Sequence, residues 1–147
     1  MSTLPIGLAC DHAGFEKKQV VIELLKSKEI PYTDFGCYST EACDYADPAH
    51  ELGYAIDKGE IKTGIAICGS GNGINMTLNK HQNVRSALSW TKEIAELARL
   101  HNDANVLVMP GRFIDADTTE AIVNAFLNTE FEGGRHQRRI EKIPLAK

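Results

Sequence analysis

Thr63-Gly64-Ile65-Ala66-Ile67-Cys68-Gly69-Ser70-Gly71-Asn72-Gly73-Ile74-Asn75 is the stretch on which the fold turns. Gly64–Ile67 is a short apolar run with two isoleucines, the pattern of a buried strand. Cys68 follows, then a turn with glycine at 69, 71 and 73, then a helix-compatible segment over Ile74–Lys80. Glycines at this density let successive N–H groups converge on one concavity, since each takes backbone angles closed to other residues. Converging amides at a helix N-terminus attract an anion. Cys68 would then stand beside amides able to hold a developing oxyanion or to favour the thiolate. The competing reading is a buried small hydrophobe ahead of a tight turn.

The flanking chain alternates in kind. Leu4–Ala9 reads as a strand running into Cys10-Asp11-His12-Ala13-Gly14. Phe15–Lys28 reads as an amphipathic helix, with Val21, Leu24 and Leu25 apolar and Lys17, Lys18 and Glu23 between them. Ile30–Phe35 is a second strand closed by Gly36, and Cys37–Asp47 is an aperiodic loop. Pro48 suits a helix start, continued by Ala49–Lys58 and ended by Gly59. Asn83–Ser89 is a more polar strand, suited to an edge, and Thr91 can cap a helix over Lys92–Leu100. Val106–Met109 is a fifth strand stopped by Pro110-Gly111, Asp117 or Thr118 caps a helix through Leu127, and a last helix spans about 132–142. Five strands alternating with helices predict an α/β protein, a three-layer α/β/α Rossmann-like fold with a five-stranded parallel sheet. Ligands in such folds bind beyond the strands' carboxyl ends where strand order reverses. In the order 2-1-3-4-5 that point lies between strands one and three, which joins Asp11-His12 to Cys68–Gly73.

At 147 residues the chain is expected to form a single domain. A net charge of −4 argues against nucleic acid as a partner, so an anionic ligand needs a local basic patch. The sequence has no apolar run of membrane-spanning length and no charged-then-apolar leader, so no membrane association is expected. Four cysteines without a C-x-x-C pair suggest a reduced, cytoplasmic protein. Two phosphate motifs are excluded: the 69-71-73 glycines lack the dinucleotide spacing, and no G-K-[ST] follows them. Cys37, Cys43 and His50 match no usual zinc spacing.

His101-Asn102-Asp103 can be a helix C-cap, with imidazole at the negative dipole end and Asn102 left-handed, or can contain an acid–base group. A helix end leading into strand five lies at the rim opposite Cys68. If both residues serve one site, His101 comes from another subunit. The tail Gly133-Gly134-Arg135-His136-Gln137-Arg138-Arg139 is the dense basic cluster. Arg135 and Arg139, four apart, could grip a phosphate or simply face solvent. Arg112, just after strand five, is a further candidate, and Asp11, His12 and Asp44 are rim residues that could equally be turn formers.

Cys10-Asp11-His12-Ala13-Gly14-Phe15, Asp44-Tyr45, Cys68-Gly69-Ser70-Gly71-Asn72-Gly73, Asn79-Lys80, Arg99-x-His101-Asn102-Asp103-x-Asn105-Val106-Leu107 and Phe131-Glu132-Gly133-Gly134-Arg135-His136 together resemble the type B ribose-5-phosphate isomerases, a family shared with galactose-6-phosphate isomerase subunits. The resemblance implies an aldose–ketose isomerase using no metal or cofactor and a cis-enediolate intermediate. It implies that His101 opens the furanose ring, Asp11 meets sugar hydroxyls, and Cys68 as thiolate removes the proton next to the carbonyl. The amides of Gly69, Gly71, Asn72 and Gly73 would hold the enediolate oxygen, Ser70 would shuttle a hydroxyl proton, and Asn102 would steady that oxygen. Asp44 and Tyr45 would line the sugar, while His12, Arg112, Arg135 and Arg139 would hold the phosphate. Some of these come from the partner in a homodimer, with the C-terminal helix at the interface, or in a tetramer. Relatives lacking the cysteine carry a glutamate base after Gly-Asn-Gly, where this chain has Ile74.

Alternatives keep the chemistry and change the sugar to allose or galactose 6-phosphate, or drop the chemistry for a phosphosugar-binding module. A thiol oxidoreductase would need a resolving cysteine that the spacing does not provide.

Overall fold

The computed structural model describes residues 4–145. Its elements are β1 (Ile6–Cys10), α1 (Phe15–Ser27), β2 (Tyr32–Asp34), α2 (Ala46–Asp57), β3 (Gly64–Cys68), α3 (Asn72–Leu78), β4 (Ser86–Leu88), α4 (Lys92–Asn102), β5 (Val106–Pro110), α5 (Ala116–Asn128) and α6 (Arg135–Ile140). The sheet is five-stranded and parallel throughout, in the order β2-β1-β3-β5-β4. Strand five therefore lies beside strand three and strand four takes the edge, a correction to the expected 2-1-3-4-5. The cause is burial: Val106–Pro110 is buried at every position and fills the centre, whereas Ser86–Leu88 is half-buried throughout.

Side chains alternate across the central strands. Leu8, Cys10, Ile65, Ile67, Leu107 and Met109 face one layer with Val21 of α1, Ala98 of α4 and Phe126 of α5. Ala9, Ala66, Cys68, Val106 and Val108 face the other with Leu52 of α2 and Ile74 of α3. The Cys68 side chain thus belongs to the α2/α3 face.

Several local expectations give way. The α1 stripe is Lys18-Val21-Ile22-Leu25, all buried, so Lys18 points into the protein. Its Nζ donates to Asp34 Oδ1 at 2.7 Å and to the Cys37 carbonyl. α2 starts at Ala46, ahead of Pro48, and α3 at Asn72. Asp103, with φ +45°, takes the left-handed position after α4, because Arg99 Nη1 holds its carboxylate at 2.7 Å. Asp115 caps α5 by accepting from the Thr118 N–H at 2.8 Å, displacing Asp117 and Thr118 from that role. Thr91 caps α4 as expected. Cys37 and Cys43 form a disulfide, so the expectation of four reduced cysteines does not hold: the loop folds the pair to a Cα–Cα distance of 6.9 Å. The same bond removes both thiolates from any metal site with His50, which instead meets His81 at 2.8 Å.

Candidate active site

Strand order reverses between β1 and β3, so the loops after these strands share one crevice. The Asp11 N–H donates to the Ile67 carbonyl at 3.3 Å, continuing the β1–β3 pairing. Its buried carboxylate accepts from the Gly14 N–H at 3.0 Å and fixes the turn into α1. Glycine is required at 14, because a Cβ there would stand 2.3 Å from the Ile67 carbonyl oxygen.

Cys68 ends β3 at 4% exposure. Its carbonyl accepts from the Gly111 N–H at 2.9 Å, and the Gly69 carbonyl accepts from the Arg112 N–H at 3.1 Å. The strand order thereby lays Arg112 directly against the glycine turn. Gly71 adopts φ +82° at the cap of α3, with Leu88 beside it. Ser70 Oγ accepts from the Asn72 N–H at 3.3 Å. Ile74, directly after the Gly71-Asn72-Gly73 turn, is fully buried. The other free thiol, Cys10, is pushed up to about 11 by burial, against the pull of Lys18, and stays protonated near neutral pH.

The Cys37–Asp47 loop closes over this rim. His12 Nδ1 lies 3.2 Å from the Cys43 N–H and 3.3 Å from the Cys43 carbonyl, which ties the loop to the end of β1. Lys18 ties the loop's other end, at the Cys37 carbonyl, to the core. Asp44 is exposed beside Cys43, and the Tyr45 ring lies on Gly73, where an added Cβ would sit 2.4 Å from Cζ. A cavity of about 470 Å³ opens between Phe35, Tyr38, Pro48 and His50, and Cys68 does not line it.

The remaining candidates stand elsewhere. Val106 pairs with Gly64 and Pro110 with Cys68. Four residues at about 3.3 Å each put the β5 entry ~13 Å along the strands from the Cys68 end. His101 and Asn102 precede that entry, in the last turn of α4. The His101 ring stacks on His136, centroids 4.4 Å apart and planes at 15°. Burial, with help from His101 and Arg135, holds His136 below its ordinary pKa. Arg135 and Arg139 are exposed on α6, and neither guanidinium makes a hydrogen bond or ion pair among the described residues. One chain therefore gathers Asp11, His12, Asp44, Tyr45, Cys68, Gly69, Ser70, Gly71, Asn72, Gly73 and Arg112, and leaves His101, Asn102, Arg135 and Arg139 on the opposite rim. The sequence reading set Lys18 among the polar residues of α1 and gave Glu132 no role of its own. For Lys18 the signal was its spacing of three, four and seven residues from Val21, Ile22 and Leu25.

The pattern of the ribose/galactose isomerase family matches residues 6–143. Ribose-5-phosphate isomerase B of Escherichia coli is 38% identical over 94% of this chain and 93% of its own. The structure of a ribose 5-phosphate isomerase from Thermotoga maritima superposes with a TM-score of 0.93 at 45% identity, covering 96% of this chain and 97% of that one. Ribose-5-phosphate isomerase B from Mycoplasma genitalium, solved with bound ribulose 5-phosphate, gives 0.90 at 39% identity, with 97% and 95% covered.

Proposed function

The chain belongs to the ribose/galactose isomerase family, and from that premise we propose that it interconverts ribose 5-phosphate and ribulose 5-phosphate through a cis-enediolate. The observation that carries the proposal is Cys68 at the β1/β3 crevice, followed at once by the glycine turn. His101 from a second copy moves a proton between the ring oxygen and the anomeric hydroxyl and opens the furanose. The Cys68 thiolate takes the proton from C2, and the C1 oxygen gains the negative charge. N–H groups of the Gly69–Gly73 turn stabilise that oxygen without reorganising; one such donor is typically worth ~10²–10³ in rate. Ser70 relays the C2 hydroxyl proton to the C1 oxygen, and the Cys68 thiol returns its proton to C1, leaving the ketone at C2. Asp11, Asp44, Tyr45 and the second copy's Asn102 orient the sugar. His12 and Arg112 meet the phosphate together with Arg135 and Arg139 of the second copy, so that binding positions the reacting carbons. All three proton carriers, His101, Cys68 and Ser70, are side chains, and the scheme uses no metal or cofactor.

This scheme needs at least a homodimer, with α6 at the interface, and a tetramer would be two such pairs. The phosphorylated substrate supports a cytoplasmic location, although the Cys37–Cys43 disulfide removes the argument from reduced cysteines. The test is subunit mixing: inactive Cys68→Ala and His101→Ala chains, exchanged together, should recover about a quarter of the parent activity per total site, since random pairing leaves half the dimers with one intact site. No recovery despite verified exchange would refute the shared site.

A further inference from the structure

On the rim away from Cys68, three side chains from separate parts of the chain converge: His101 from α4, Glu132 from the segment after α5, and His136 from α6. One ligand atom from each lies within 4.8 Å of the other two. The His136 Nε2 is buried and makes no hydrogen bond among the described residues, with Glu132 Oε1 3.8 Å away. An imidazole nitrogen held from water without a partner is costly unless something fills the place. We propose that His101, Glu132 and His136 form a binding site for a late first-row divalent cation of the zinc type, and that the ion blocks the sugar by occupying His101.

The donor set supports that choice. Two imidazoles and one carboxylate suit zinc or cobalt better than magnesium or calcium, which prefer all-oxygen shells. Three protein ligands leave the fourth tetrahedral position to water. Bonds of about 2.0–2.1 Å place ligand atoms roughly 3.4 Å apart in a tetrahedron, so the present spread closes with shifts of ~1 Å. The stacked rings direct their in-plane lone pairs side by side, hence one ring must turn. His136 is wedged at 4% exposure, whereas His101 is half-buried at a helix end and Glu132 is exposed, so these two move. The Glu132 carboxylate offsets the repulsion that Arg135 and Arg139 exert on a cation. The site itself stands on the geometry alone; only its inhibitory consequence rests on the proposed role of His101.

The test uses the full chain in its native assembly, with Co²⁺ as the probe. Cys68→Ala supplies the background, because a thiolate also binds this class of ion. Equilibrium dialysis should give one Co²⁺ per chain, with the intense visible bands of tetrahedral cobalt. Glu132→Gln and His101→Asn should each weaken binding at least ~10–100-fold, the loss typical of even an outer-shell partner. In the protein with Cys68 intact, Zn²⁺ should inhibit isomerisation reversibly with EDTA, and Glu132→Gln should keep the parent's basal rate while resisting Zn²⁺. Equal Co²⁺ affinity in the variants, or none in the Cys68→Ala background, overturns the site. Because dialysis reads binding without turnover, an inactive protein that still binds Co²⁺ would refute the isomerase reading and leave the site standing.

Discussion

Gly73→Ala separates the sugar-facing role of the β3 loop from its role in the fold. The new Cβ would stand 2.4, 2.6 and 2.8 Å from Tyr45 Cζ, Cε1 and Cε2. Carbon atoms pack at about 3.5–4.0 Å, so the ring must retreat by ~1 Å or more. It has somewhere to go, since Tyr45 is 41% exposed. Gly73 lies in α3 outside the left-handed region, and alanine there gains up to about 1 kcal/mol of helix preference. Overpacking costs typically ~1–3 kcal/mol. The net effect on stability is thus a loss of about 0–3 kcal/mol. Activity suffers more: displacement of a substrate-lining group by ~1 Å can lower kcat/KM by about 10²-fold. Urea unfolding and ribose 5-phosphate turnover should be measured for Gly73→Ala, Tyr45→Ala and the double variant. In the Tyr45→Ala background the methyl group meets no ring, so the stability effects should be coupled by ~1 kcal/mol or more. Additivity within about 0.3–0.5 kcal/mol, or an unchanged kcat/KM for Gly73→Ala, would refute the reasoning.

Two further outcomes test the scaffold. Lys18→Met should destabilise the fold by about 3 kcal/mol, the lower end for a broken buried pair because Asp34 stays one-fifth exposed, read as a lowered urea midpoint; a loss under 1 kcal/mol would show that the Asp34 and Cys37 contacts do not hold the loop. Asp115 has its pKa lowered from 3.8 by the Thr118 hydrogen bonds. That stabilisation is complete above pH ~3.8 and is lost as pH falls through the folded-state value, since the unfolded chain binds its proton first. Asp115→Asn keeps a cap but does not titrate, so its stability should fall less steeply than the parent's below pH ~4; parallel acid curves would contradict the assignment.

Residues buried on both sides announced themselves in sequence. β3 and β5 are continuous apolar runs, and the glycine turn after Cys68 reads directly as a tight crossing into a helix. Strand order did not, because a β–α–β chain can return to either side of β3 and only the packing of Val106–Pro110 against both neighbours decides it. Lys18 looked like a solvated residue by type, although its spacing placed it on the buried stripe. The Cys37–Cys43 bond and the Tyr45–Gly73 contact depend on how an aperiodic loop closes, which no local pattern encodes. Asp103 and Asp115 took positions expected of neighbours because Arg99 and the Thr118 N–H were there to bind them. The halves of the candidate site were each legible as chemistry, and the strand–helix geometry showed that they lie on opposite rims.

The most direct test of the central claim is ribose 5-phosphate isomerisation by the parent and by Cys68→Ala, with EDTA present and allose 6-phosphate and galactose 6-phosphate in parallel. The account predicts rapid turnover of the pentose phosphate that Cys68→Ala abolishes while substrate binding persists. Pentose turnover surviving intact in Cys68→Ala, or absent from a correctly assembled parent, would contradict it.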